Sequence, residues 1–273
     1  MEQDILRRLQ LTQLEILKEI DRVCRLNHIS YFVDSGTLLG AVRHQGFIPW
    51  DDDLDIGMFR EDYKRFQEIA PRDLGGQYVF VTCHTEPDYP FMFGKVMKKG
   101  TVYQEEKSKK VGFVQGIYVD VFPFDHFPAE EKQQKKQGKQ LTVLRAMIRN
   151  KAGYATWVKD GKTDYVKLAK NIPFKLASIF FSRSYLIKKY ESVAERYNSE
   201  DTEVYYTFGI SRYGKWRLPA EAIRKTVLLP FEDALVPCPE GYDQYLRIVY
   251  GDYLELPPEE ERENRHLVEE LKF

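Results

Sequence analysis

Cysteine is scarce in this chain of 273 residues, which has three, Cys24, Cys83 and Cys238. An odd number at such distances argues against a disulfide framework and against a cysteine-type zinc site, so a reducing, cytoplasmic compartment is expected. Long apolar runs are missing too. The longest patch, Leu176 to Phe181, falls far short of the roughly 20 residues a bilayer span requires. The opening Met1-Glu2-Gln3-Asp4 has no positive stretch followed by an apolar core, so no signal peptide is expected. Neither sign of charge dominates. With 41 Lys and Arg against 42 Asp and Glu the net charge is -1, which rules out a uniformly basic nucleic-acid coat and an acidic solvating tail. What is there is an ordinary globular composition, 43% hydrophobic and 30% charged, long enough to bury a sizeable core.

The charge is unevenly placed. From Lys132 to Lys189 there are fifteen Lys and Arg and two acids, Asp160 and Asp164, a local +13 that leaves -14 elsewhere. Tyr154, Trp157, Tyr165, Phe174, Phe180, Phe181 and Tyr185 lie in the same stretch. Basic residues mixed with aromatics suit an anionic bilayer surface or a polyanionic glycan; a solvated helical face with aromatics in the core explains them equally.

Periodicity predicts an α+β fold, a mixed β-sheet flanked by helices with a basic helical insertion. Apolar positions recur at helical spacing over 3–27, and 60–70 is helical as well. Strands are expected at 31–33, 54–58, 78–82, 91–97, 101–105 and 116–122, the last ended by Pro123. Ser35-Gly36-Thr37 is expected as a turn before a short helix at 38–42. Helices are expected over 129–150, over 164–197 with an interruption at Pro173, and near 239–250. This divides the chain into a catalytic core at 1–128, the insertion at 129–200, and a C-terminal part of the catalytic domain at 201–273.

The strongest chemical signal is Asp51-Asp52-Asp53-Leu54-Asp55. In a strand, Asp53 and Asp55 project from one face while Leu54 and Ile56 face the core. Carboxylates this close repel, and one takes up a proton unless a cation lies between them. Mg²⁺ or Mn²⁺ prefers such oxygens. A calcium loop starting at Asp51 would need Gly at its sixth position and Glu at its twelfth; these hold Ile56 and Asp62. Asp120, alone in Ile117-Tyr118-Val119-Asp120-Val121-Phe122, is costly to bury unpaired. It is either a hydrogen-bonded structural acid or a third metal ligand. Three carboxylates bridging two ions could hold a donor's phosphates in line with an acceptor oxygen. A glycosyltransferase using its Asp-x-Asp on a nucleotide sugar remains open. Gly36 and Thr37 can cradle phosphate. Arg43 can neutralise a phosphoryl group or form a surface ion pair, and His44 can bind substrate or be structural.

At this point the resemblance is specific. Gly36-Thr37-Leu38-Leu39-Gly40-Ala41-Val42-Arg43-His44, with Gly46-Phe47-Ile48-Pro49-Trp50 running into the acids, resembles the signature of the LicD family, which includes bacterial phosphocholine transferases and is related to fukutin and the fukutin-related protein. Gly116 to Pro123 resembles its second block; Pro237, Tyr250-Gly251-Asp252-Tyr253 and Pro257-Pro258 resemble its C-terminal one. The likeness covers about 15–125 and 205–266 and leaves the basic stretch outside. The distance from the Gly-Thr turn to Asp53 is longer than in many nucleotidyltransferases.

The resemblance implies a nucleotidyltransferase-like core and metal-dependent transfer of phosphocholine from CDP-choline to a lipid-linked or polymeric envelope glycan, of teichoic-acid or lipopolysaccharide type, releasing CMP. Asp53, Asp55 and Asp120 match the metal positions, with Asp120 also the general base; two Mg²⁺ or Mn²⁺ ions are expected. Gly36 and Thr37 would hold the donor phosphates, and Arg43 and Lys95 would meet transition-state charge. A choline cage would need aromatic rings; Tyr89, Phe91, Phe93, Tyr206 and Trp216 are candidates that core packing explains equally. The rivals are transfer of ribitol or glycerol phosphate, nucleotidyl transfer, and a metal- or glycan-binding module without turnover. The expected location is cytoplasmic, peripheral at the inner face of the cell membrane through the basic stretch, with no nucleic-acid partner.

Overall fold

The computed structural model describes all residues except 114, 160, 201, 209–212 and 265. Asp160, counted in the basic stretch, therefore lies outside the described residues. The chain opens with α1 (Gln3–Leu26), β1 (Phe32–Val33), α2 (Ser35–His44), β2 (Asp55–Phe59) and α3 (Arg60–Asp73). Then come β3 (Tyr78–Val81), β4 (Gly94–Lys98), β5 (Val102–Glu105) and β6 (Tyr118–His126). The middle holds α4 (Glu131–Lys151), the short strands β7 (Val158–Lys159) and β8 (Lys162–Thr163), α5 (Tyr165–Ile179) and α6 (Arg183–Ala194). The chain closes with β9 (Val204–Tyr206), β10 (Leu218–Pro219), α7 (Ala220–Ile223), β11 (Thr226–Phe231), β12 (Ala234–Pro239), α8 (Tyr242–Tyr250) and β13 (Val268–Lys272).

The main sheet runs β1-β2-β6-β4-β3, and β9 pairs with the far end of β6 and with β10. It is mixed: β2 and β6 are parallel, while β1 with β2, β4 with β6, and β3 with β4 are antiparallel. β6 is buried along nearly its whole length, as a near-continuous apolar run in a central strand should be. α1 and α3 pack on β6 and on each other, and α2 packs on β2. The buried stripe of α1 includes Leu6, Leu9, Ile16, Leu17, Ile20 and Val23, the 3–4 spacing of one helix face. Late segments return to the early ones, β9 to β6 and β13 to β5.

Several boundaries differ from the sequence reading, three of them for a clear reason. Ser35-Gly36-Thr37 is the first turn of α2, started by Asp34, whose side chain accepts from the Ser35 N–H at 2.8 Å. The strand at 116–122 does not stop at Pro123 but runs to His126. The Asp120 N–H points toward β2, so the N of Pro123, three residues on, points the other way. There β4 has ended at Val121, and β9 begins only at Asp125. No ladder bond is asked of Pro123, which is where a sheet tolerates proline. The long helix 164–197 does break, but at Ser182, whose Oγ accepts from the Tyr185 N–H at 3.2 Å and starts α6. Pro173 sits inside α5 on its exposed side, where water can satisfy the carbonyl it leaves unbonded.

Candidate active site

Sheet register builds the site. Asp55 and Asp120 are direct partners in the parallel β2–β6 pair, and Asp120 and Lys95 are direct partners in the antiparallel β4–β6 pair. On the other flank the Asp34 N–H donates to the Asp55 carbonyl at 2.9 Å. Neighbours in register project from the same face. Asp55, Asp120 and Lys95 thus form one row across three strands, and Asp34, just past the end of β1, extends it.

Lys95 is buried. Its Nζ lies 2.8 Å from Asp120 Oδ1 and 3.0 Å from the centroid of the Tyr118 ring, with Phe91 and Phe93 at 5.6 and 5.8 Å. Two of the proposed choline-cage rings therefore face the protein's own ammonium. Tyr206 is buried among Phe127, Phe208 and Tyr213, Tyr89 is buried between Phe91 and Phe113, and Trp216 lies under Lys215.

The row is electrostatically frustrated. Burial, and then the charges of Asp53, Asp120, Asp34 and Asp51, hold Asp55 well above the usual carboxylate range. Burial lifts Asp120 to about 6; the ion pair with Lys95 opposes this, while Asp53 and Glu105 add to it. Asp53 is thus close enough to act on both, although β2 starts only at Asp55 and Asp53 lies in the loop before it. A divalent cation among the carboxylates would relieve such repulsion, as Lys95 does in part for Asp120.

The acidic loop is clamped from behind. Gln10 and Gln13, both buried on α1, donate to the carbonyls of Asp51 and Asp52, each at 2.9 Å. The Asp52 side chain is fully buried and taken up, accepting from the His266 N–H at 3.2 Å, from His266 Nδ1 at 3.0 Å and from the Tyr103 hydroxyl at 3.4 Å. Burial disfavours a charged His266, but the bond to Asp52 and the charges of Asp53, Glu105 and Asp52 outweigh it and raise His266 to about 9. Asp51, Asp52 and Asp53 place carboxylate oxygens within 4.8 Å of one another, a triad that does not include Asp55 or Asp120. Asp52 is held by His266 and Tyr103, and Asp53, Asp55 and Asp120 are not gathered into such a group among the described residues.

Gly36 and Thr37 join this group, each in its own way. A Cβ on Gly36 would come within 2.6 Å of Asp51 Oδ2, so any side chain there would displace the Asp51 carboxylate. The Thr37 Oγ1 accepts from the Asp55 N–H at 2.9 Å and so fixes the start of β2. Arg43 and His44 are not brought to the row. They end α2, about 9 Å or more along its axis from Thr37. There Arg43 donates to the carbonyls of Tyr253 and Glu255 at 2.8 and 3.2 Å. His44 accepts from Arg43 Nε at 3.0 Å and lies edge-on to Trp50; burial and then Arg43 lower its pKa.

The sequence reading missed Asp34, Gln10, Gln13, Tyr103 and His266. Gln10 and Gln13 were visible as polar breaks in the apolar stripe of α1. His266 had no local signal, lying 214 residues from Asp52. A second group of potential ligands, Cys83, His84 and Glu191, also lies within 4.8 Å; His84 Nε2 and Glu191 Oε1 are paired at 2.6 Å. Nothing in the cysteine spacing anticipates it.

With this geometry in place, comparison with known proteins is informative. The family profile described as "LicD/FKTN/FKRP, nucleotidyltransferase domain" matches residues 28–182, running through α4 and α5, past the 125 at which the first stretch of motif resemblance ends. The chain is 30% identical over 268 residues to the lipopolysaccharide cholinephosphotransferase LicD of Haemophilus influenzae, covering 97% of each chain. It is 38% identical over 47 residues to the ribitol 5-phosphate transferase FKRP of mouse and of human, 17% of this chain and 10% of theirs.

Proposed function

The chain belongs to the LicD family, and from that premise we propose that it transfers a phosphocholine group from CDP-choline to a hydroxyl of an envelope glycan precursor at the cytoplasmic face of the membrane. The observation that carries this reading is the in-register row of Asp55, Asp120 and Lys95 with Asp53 beside it. Asp53, Asp55 and Asp120 would hold Mg²⁺ or Mn²⁺, which when bound supplies Lewis-acid polarisation of the donor's phosphoryl oxygens. The acceptor oxygen forms a bond to the choline-bearing phosphorus, the bridging bond to CMP breaks, and the hydroxyl proton passes to Asp120. Lys95 orients Asp120 through their ion pair. Thr37 and Gly36 set the distance between α2 and the acidic loop, where the donor phosphates would lie.

A second reading, transfer of ribitol or glycerol phosphate, is favoured by the short similarity to the ribitol 5-phosphate transferase. CMP release from CDP-choline, CDP-ribitol and CDP-glycerol with Mg²⁺ or Mn²⁺ separates the two. The first reading expects turnover with CDP-choline well above the others; no CMP from any CDP donor removes both.

A further inference from the structure

α5 presents its apolar side away from the protein. The helix packs on α4 through Phe174, Ala177 and the buried Ser178, and through Asn171, whose amide exchanges hydrogen bonds with Asn150 at 3.1 and 2.8 Å. On the opposite side, Tyr165, Ile172, Leu176 and Ile179 recur at helical spacing and lead into Phe180. Their exposures are 77%, 49%, 57%, 69% and 84%. At about 100° per residue they form one stripe, with Lys175 on one flank and the exposed Lys170 further round the helix. Phe181 and Tyr185, stacked with centroids 5.4 Å apart, follow at the start of α6 and line a groove with Val143, Leu144 and Met147 of α4, and Lys188 and Lys189 of α6 are exposed. No helix among the described residues is long and apolar enough to cross a membrane, so this is a surface feature.

We propose that the outer face of α5, with Phe180 and Phe181 at its tip, inserts into the interface of an anionic bilayer. A solvent-facing apolar stripe bordered by lysines is the pattern of a helix lying in a lipid headgroup layer. Charge decides the occupant. Of the two acids in this +13 stretch, Asp164 is taken by capping α5 and pairing with Lys167 at 3.1 Å. A second copy docked through the same face would oppose like charge to like charge, whereas anionic lipid complements it. The inference is independent of the phosphotransferase reading, because lipid binding needs neither donor nor acceptor.

The test is co-sedimentation of the full chain with phosphatidylglycerol-containing and with pure phosphatidylcholine vesicles, at low and high salt. Binding to the anionic vesicles is expected to be about tenfold or more above neutral ones and to fall in high salt. The pair Leu176→Ser and Phe180→Ser should abolish it, and Lys170→Glu with Lys175→Glu should weaken it at least tenfold. Circular dichroism reports the folding of each variant; the charge pair touches no packed residue, so it stays informative if the apolar pair fails to fold. Equal binding to both vesicle types, no binding, or a dimer in light scattering that Phe180→Ser dissociates would overturn the proposal.

Discussion

The sheet and the helices from Glu131 to Ala194 handle charge and apolar surface in opposite ways. In and around the sheet, charged groups are buried and several are answered by a neighbour, Asp55 being the exception. Lys95 meets Asp120, Asp52 meets His266, and Arg60 meets Asp125, whose side chain is fully buried and also accepts from Asn198 at 2.7 Å. In the helices, lysines face solvent while large apolar residues of α5 lie exposed beside them. An ion pair such as Lys135 with Glu131, about three-quarters exposed on both sides, contributes little. Buried charge is costly unless positioned, so the first region is built for geometry. Exposed apolar surface is costly unless covered, which is why the second is the region proposed to meet lipid.

The difference can be broken by mutation, starting where the effect should be largest. Asp55→Asn or Asp120→Asn should lower CMP release by roughly 10²–10⁴-fold while leaving circular dichroism unchanged; near-wild-type single-turnover rates would contradict the assignment. Asp125→Ala, which leaves the buried Arg60 only the more distant Glu195 at 3.8 Å, should cost about 3 kcal/mol in urea unfolding, whereas Lys135→Ala should cause no measurable change. If the two cost the same, the contrast between regions is wrong. Gln13→Ala removes support from the acidic loop and should weaken Mg²⁺ or Mn²⁺ binding by roughly 10–100-fold, read by calorimetry; an unchanged affinity would show that the loop holds itself.

The smallest effect is on pH. Asp120, lifted to about 6, keeps a proton in the folded chain that the unfolded chain has lost, so its neutral form stabilises at low pH and the benefit disappears as pH rises through about 6. His266, raised to about 9, contributes stability that is complete below its ordinary 6.5 and lost as pH rises through 9. Both act in one direction. With chelator present, the melting temperature should fall by a few degrees from about pH 5 to about pH 9, on the order of 1–3 kcal/mol. Saturating divalent cation should flatten the lower part of that slope, and a melting temperature that rises with pH would refute the assignment.

Much of the fold was legible because local periodicity and burial agree. The apolar stripe of α1 and the apolar run of β6 each have one packing solution, and their expected positions differ from the observed ones by a few residues. Strand β4 was placed three residues early, because Phe91 to Phe93 are as apolar as a strand but pack their rings beside Tyr89, Tyr154 and Phe122 before the ladder begins. Asp53, Asp55 and Asp120 stood out because acids beside apolar runs are expensive and need a reason. Arg43 carried the same kind of signal, yet it lies at the far end of α2 holding the carbonyls of Tyr253 and Glu255, since charge alone does not say what a side chain will reach.

The order of letters by itself determined the long helices and the central strands to within a few residues, that acids cluster before β2, and that one long stretch is basic, because these follow from side-chain chemistry and short-range spacing. Only tertiary structure decided that Asp55, Asp120 and Lys95 are neighbours, that His266 closes on Asp52, and that the apolar stripe of α5 faces outward. Strand register and helix packing are set by the whole core at once, and no local stretch of chain contains that information.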